Sequence, residues 1–281
     1  MQRTWLITGI NRGLGRALTE ALLARGDRVA GTARKLDELD GLKAKYGEQL
    51  WTATLDLTDA AAIESVVNRA FADLGRIDFV VNNAAYSVVG AVEECPEEMI
   101  RHIFDTNLLG SILMIKAALP HLRAQGGGRI LQVSSSLGQA AIVPGISLYI
   151  TSKWAIEGFI ESTALDVAPF GIEMTIIEPG AIRTDFGLGA ALSPALAAYD
   201  DTPARGIRSR VEAAQGAEAK PSTSLGDPAK MAQVIIACAE ESPAPKRVVM
   251  GSDSYKMLSA AFSERAASLE AQKELAFSTD F

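Results

Sequence analysis

Trp5-Leu6-Ile7-Thr8 followed by Gly9-Ile10-Asn11-Arg12-Gly13-Leu14-Gly15 runs from a short apolar strand into a glycine loop. The loop then opens a helix, read from about Leu14 to Arg25. Leu14, Ala17, Leu18, Ala21 and Leu22 fall at i, i+3, i+4, i+7 and i+8, one apolar stripe of a helix. Gly26 ends it as a C-terminal cap glycine does. Strand, glycines and helix N-terminus together let backbone N–H groups approach a pyrophosphate that side chains would hold off. The spacing is G-x-x-x-G-x-G, not the commoner G-x-G-x-x-G. Glycine-rich strand–helix turns also arise for steric reasons alone, so the loop needs support from the rest of the chain. Its candidate cofactor contacts are Thr8, Gly9, Asn11, Arg12, Gly13, Leu14 and Gly15.

Outward from the loop the strand–helix rhythm repeats. Arg28 to Thr32 reads as a strand, Leu36 to Tyr46 as a helix and Leu50 to Leu55 as a strand. Asp59 caps a helix to about Leu74, with Ile63, Val66, Val67, Ala70 and Phe71 on one face. Phe79-Val80-Val81 is an apolar strand, and Pro96 to Gln125 holds one or two helices. Arg129 to Val133, Met174 to Ile177 and Arg247 to Met250 are further strands, with helices over Tyr149 to Pro169 and Pro228 to Glu240. Seven strand candidates separated by helices predict an α/β chain: a Rossmann-like, doubly wound parallel sheet of about seven strands. The 281 residues are then one domain, with an insertion at about 187–227 and a helical tail at about 255–281. The insertion is rich in Ala, Gly, Pro and Ser and is expected to hold short helices.

Composition narrows the function. Apolar residues are 48% and net charge is −7, which speaks against a disordered chain, a nucleic-acid binder or a partner of anionic membrane. Two cysteines, Cys95 and Cys238, and two histidines, His102 and His121, give no metal-ligand spacing. Both histidines are expected near the surface of helices. No run of about 18 apolar residues marks a membrane span. The start, Met1-Gln2-Arg3-Thr4, has no signal-peptide pattern, and a reduced, cytoplasmic setting is the expectation.

The acid that holds the ribose of NAD is expected about 20 residues beyond the glycines. Ala33 and Arg34 stand there instead. A cation at that point suits the 2′-phosphate of NADP, and Arg12 is a second one nearby. Further along, Tyr149-Ile150-Thr151-Ser152-Lys153 puts a tyrosine and a lysine four apart on one helix face. A phenol titrates near about 10 and needs an adjacent ammonium to act as acid and base near neutrality. Ser134-Ser135-Ser136 follows a strand, and Ser136 lies 13 residues before Tyr149. Turn chemistry accounts for one or two of the three serines.

With these motifs in order, the sequence resembles the short-chain dehydrogenase/reductase family over roughly residues 3–185, and more loosely over 228–251. Asp56-Leu57 resembles the family's adenine-contacting pair. Asn82-Asn83-Ala84-Ala85 resembles its N-N-A-G motif, with one methyl added where Ala85 replaces glycine. Thr106-Asn107-Leu108-Leu109-Gly110 carries the matching helix asparagine. Pro179-Gly180-Ala181-Ile182-Arg183-Thr184 resembles the segment that holds the nicotinamide carboxamide. The resemblance implies an NADP(H)-dependent carbonyl reductase or alcohol dehydrogenase, with NAD(H) as the less favoured cofactor and no metal. By the same resemblance Tyr149 passes the proton, Ser136 holds the substrate oxygen, Lys153 binds the nicotinamide ribose and lowers the tyrosine's pKa, and Asn107 seats a relay water. Asn83, Ala84, Ala85, Pro179, Gly180, Ile182 and Thr184 join the cofactor contacts.

The resemblance also implies that the insertion closes over the substrate. Its Phe186, Leu188, Leu192, Leu196, Ala197, Ala198 and Tyr199 suit a bulky hydrophobic ketone or alcohol, or else simply pack the lid onto the body. Arg205, Arg208 and Arg210 read as a solvated helix face. A homodimer through the helices around Leu108–Leu119 and after Tyr149 is expected. The competing reading is a non-catalytic NADP(H)-binding sensor on the same fold, against which an intact Ser136, Tyr149 and Lys153 argue.

Overall fold

The computed structural model describes residues 2–216 and 224–281. β1 (Thr4–Thr8), α1 (Gly13–Ala24), β2 (Arg28–Ala33), α2 (Asp40–Tyr46), β3 (Leu50–Thr54), α3 (Ala60–Leu74) and β4 (Phe79–Asn82) alternate as the periodicity predicts. A two-residue β5 (Val88–Val89) precedes α4 (Glu97–Phe104), which a π-helical turn over Asp105–Leu109 joins to α5 (Gly110–Ala124). β6 (Gly128–Val133), α6 (Ser147–Val167) and β7 (Ile172–Pro179) follow, then β8 (Ala191–Leu192), α7 (Pro203–Gln215), α8 (Pro228–Glu240) and β9 (Arg247–Met250). The tail forms α9 (Ser252–Ala271) and α10 (Lys273–Phe277).

Seven strands make one parallel sheet in the order β3-β2-β1-β4-β6-β7-β9. Alternation along each strand feeds two cores. Trp5, Ile7, Val29, Phe79 and Val81 point to the face covered by α1 and α8. Leu6, Ala30, Val80 and Ile130 point to the face covered by α3, α5 and α6. Burial on both sides is why these strands read as unbroken apolar runs. Asp59 caps α3 through Ala62 N–H at 2.9 Å, as expected.

The chain winds from β1 outward through β2 and β3, then crosses back so that β4 pairs with the other side of β1. The loops leaving β1 and β4 therefore diverge, and a crevice opens beyond the carboxyl ends of the central strands. Residues 97–124 form one helical run of 28 residues, long and apolar enough by those measures alone to cross a membrane. In the fold it is a core element: Met114, Ile115, Ala118 and Leu122 are buried against α3 and the sheet.

The insertion departs from expectation in two details. Ala191 and Leu192 pair in parallel with Val88 and Val89, a strand too short for any periodicity to announce. Arg208 is buried, not solvated: its guanidinium donates to Ser193 Oγ at 3.3 Å and to Glu212 at 2.8 Å. Arg205 pairs with Asp200 at 2.7 Å. The part of the expected insertion at 217–223 lies outside the described residues.

Candidate active site

The glycine loop sits where β1 ends. Gly9 (φ 74°) and Gly13 (φ 60°) occupy the left-handed region that side chains disfavour. Gly15 is excluded from bearing a side chain for another reason: a Cβ would lie 2.3 Å from Gly9 O and 2.4 Å from Asn83 Nδ2. That asparagine staples the loop, donating to Thr8 O at 2.9 Å and Gly9 O at 3.2 Å. Thr8 Oγ1 accepts from the N–H groups of Asn83 and Ala84, both at 3.0 Å. Leu14 and Leu57 turn their side chains into the cores, so only their backbones face the crevice.

Arg12 and Arg34 are exposed, and among the described residues neither makes an ion pair. Arg12 at the start of α1 and Arg34 just after β2 are cations that fit an added phosphate. Asn11 donates to Glu38 at 2.8 Å, an acid just beyond the arginines that counting from the glycines overlooks. Asp56 accepts from Thr58 N–H at 2.9 Å, which with that residue's hydroxyl and Arg34 holds its carboxyl below the ordinary range despite partial burial.

On the other side of the crevice, α6 presents Tyr149 and Lys153, both buried. Ser135, not Ser136, is the serine whose side chain bears on the Tyr149 phenol. Ser135 is extended (φ −166°, ψ 157°). Ser136 begins a 3₁₀ turn, Ser136–Gly138, and is sealed at 2% exposure. Counting back 13 residues from the tyrosine selects Ser136, the first residue of that turn, and not Ser135 just before it. Lys153 Nζ donates to Val133 O at 2.9 Å and lies 5.7 Å from the Tyr149 ring centroid. Burial pushes the Tyr149 phenol up to about 12, with the Ser135 bond opposing it. Burial pushes Lys153 down to about 8, with Glu157 opposing it. Taking the hydroxyl out of water outweighs the opposing effect of Ser135.

Asn107 is 1% exposed and belongs to the π-helical turn. Its side chain donates to Tyr86 O at 2.8 Å and Ser152 Oγ at 3.1 Å and accepts from Tyr86 N–H at 3.0 Å. The amide is thereby committed to joining β4's exit to α6, and π-helical turns of this kind recur at functional sites.

The Pro179–Thr184 segment closes the crevice. Its Thr184 methyl lies 3.6 Å from where a Cβ on Gly13 would be. Ala181 N–H donates to Asp253 Oδ2 at 2.8 Å, and the same carboxylate crowds Gly180. Asp253 opens α9, so the tail supports this segment; no motif in the sequence announces it. Phe186 follows, its ring centroid 5.9 Å from that of Tyr149. Around Tyr149 lies a third apolar cluster, with Val88, Ile103, Leu148, Leu137, Phe104 and Ile146. The arrangement sets a buried tyrosine, serine and lysine across the crevice from the glycine loop, with an apolar cluster around the tyrosine.

The short chain dehydrogenase family profile matches residues 3–194. The chain belongs to that family. This short-chain dehydrogenase is 36% identical over 280 residues to oxidoreductase BOA17 of Botryotinia fuckeliana, covering 99% of this chain and 100% of that one. A short-chain dehydrogenase structure from Streptomyces avermitilis matches with a TM-score of 0.89 and 37% identity, over 100% of this chain and 99% of its own. A short chain dehydrogenase from Burkholderia cenocepacia in complex with NADP shares the fold, with a TM-score of 0.73 and 23% identity over 97% and 98% of the two chains.

Proposed function

We propose that the protein is an NADP(H)-dependent oxidoreductase that interconverts a ketone or aldehyde and an alcohol, on a hydrophobic substrate. The observation that carries this is the Tyr149–Ser135 hydroxyl pair with Lys153 one helical turn away, set across a crevice from the glycine loop. A bound nicotinamide contributes the hydride. Gly9, Gly13 and Gly15 would admit the pyrophosphate, Arg12 and Arg34 the 2′-phosphate, and Asp56 the adenine. Thr184 and Ile182 would meet the carboxamide, and Lys153 the ribose. The NADP bound in the Burkholderia relative supports the same choice.

At neutral pH a phenol held near 12 carries its proton, the form that donates to a carbonyl oxygen. Ser135 would hydrogen-bond that oxygen, and we assign it the role that sequence counting gave to Ser136. Phe186 and the apolar cluster behind Tyr149 favour an apolar group next to the carbonyl. A cytoplasmic homodimer is part of the same proposal: Leu109, Trp154 and Leu165 expose apolar surface on the helices expected to pair.

NADPH oxidation against a panel of aliphatic and aromatic carbonyls tests the reading. Tyr149→Phe is expected to lower kcat about 10²–10⁴-fold while NADPH binding stays. Equal turnover by both proteins would sink the role of Tyr149. Tight NADPH binding without turnover of any carbonyl would favour the sensor.

A further inference from the structure

We propose that Glu157 is a positioning residue: with Glu178 it clamps the turn 134–139 from beneath, so that Ser135 faces Tyr149. The inference rests on the reading of Ser135 and Tyr149 given above. Glu157 and Glu178 are 2% and 1% exposed. Burying two carboxylates is costly, and well-packed apolar residues commonly serve stability as well or better. What these two carboxylates do instead is hold the two ends of one turn. Glu157 Oε1 accepts from Ser134 Oγ, and Glu178 Oε1 accepts from Gln139 Nε2. Ser135 lies between those anchors.

The rest of the cluster is arranged around the clamp. Arg247, arriving on β9, donates one Nη1 to both carboxylates, at 2.6 Å to Glu157 and 2.5 Å to Glu178. Its other nitrogens reach Glu161 at the surface. Lys153, one turn before Glu157 on α6, is a buried cation near Glu157, whereas Arg247 is half-buried. Gly138 makes room for the clamp: a Cβ there would lie 1.8 Å from Glu157 Oε1 and 2.7 Å from Ser134 Oγ. An isolated structural ion pair does not require a bare backbone in the active-site turn. A carboxylate that reaches up to grip the turn does.

The test compares wild type, Ser135→Ala, Glu157→Gln and the double variant in the full-length protein. Glu157→Gln is expected to lower kcat about tenfold with KM for NADPH within about twofold. Because Glu157 acts through Ser135, adding Glu157→Gln to Ser135→Ala is expected to cost less than about twofold more. Additive losses overturn the proposal and leave Glu157 a stability element, as does a Glu157→Gln protein with wild-type kcat. Ser134→Ala removes the same hydrogen bond while leaving the Arg247 ion pairs, and must show the same coupling if Glu157→Gln does not fold. A crystal structure of either variant reads the point without turnover. Ser135 displaced from Tyr149 supports the clamp, and Ser135 in place overturns it. A wild type that turns over no carbonyl defeats the functional reading but leaves this structural comparison intact.

Discussion

The two walls of the crevice are made of different material. On the β1 side the surface is backbone: Gly9, Gly13 and Gly15, held by Thr8 and Asn83. On the β6–α6 side it is buried side chains: Ser135 on Tyr149, Lys153 beneath, and Glu157, Glu178 and Arg247 under the turn. A backbone surface needs only the absence of side chains at given spacings, which a sequence displays directly. A side-chain surface needs partners from distant elements, and Arg247 reaches Glu157 across 90 residues of chain. The side-chain wall is also where titration is strongly perturbed, because it is where polar groups leave water.

The sharpest way to break this contrast is at the serines. Ser135→Ala is expected to lower kcat by about 10²-fold, whereas Ser136→Ala changes it less than about twofold, measured by NADPH oxidation. The reverse ranking would restore the count from Tyr149 and overturn the assignment of the turn.

Proton linkage gives a second test of the side-chain wall. Lys153 is held down to about 8, so its ammonium is lost above that pH. kcat/KM for carbonyl reduction should then fall about tenfold per pH unit beyond the Lys153 midpoint. Stability goes the other way. The folded pKa is below the unfolded one, so the unfolded chain binds more protons between about 8 and about 10.5. Its contribution is fully unfavourable below about 8 and is relieved as pH rises through that window. The difference in unfolding free energy between wild type and Lys153→Met should shrink over the same range. A pH-independent difference would contradict the depressed value.

On the backbone wall the expected effects are smaller and confined to the cofactor. Arg34→Ala should raise the Kd of NADPH about tenfold at low salt, which is about 1.4 kcal/mol. The Kd of NADH should be unchanged, and titrations with the two cofactors separate these outcomes. Equal weakening of both would remove the case for a phosphate at that point. The smallest effect comes from a glycine that serves neither wall. Gly158 is exposed on α6, with nothing within 4 Å of where a Cβ would lie. Gly158→Ala should stabilise by about 0.8–1 kcal/mol with activity unchanged, read by chemical denaturation.

Much of this was legible in the amino-acid sequence. The helix stripe from Leu14, the Asp59 cap and the apolar run at Phe79 each placed an element near its observed bounds. Local pattern suffices there because each element must bury one face or both. The glycine loop and the Tyr149–Lys153 pair were equally readable, since their spacing is local. Counting selects Ser136 where the structure sets Ser135 against the tyrosine, because three serines in a row carry no periodicity to show on which side of a 3₁₀ turn each falls. Arg208 looked solvated because a helix with three arginines reads as a surface; Ser193, brought in by β8, takes its charge inward. Asp253 and Glu38 had no motif at all, each being recruited by a neighbour far away in the chain.

By itself the sequence determined the α/β order of elements, the glycine loop between the first strand and helix, and the placing of Tyr149 and Lys153 one turn apart on one helix. Those depend on spacings within a single strand–loop–helix unit, where covalent geometry carries residues to their places. Only the tertiary structure decided which serine meets the tyrosine, how far burial moves the two pKa values, and that two carboxylates from α6 and β7 share one arginine from β9 under the turn. Those depend on desolvation and on side chains from separate strands and helices converging in one interior, and neither exists until the sheet has closed over them.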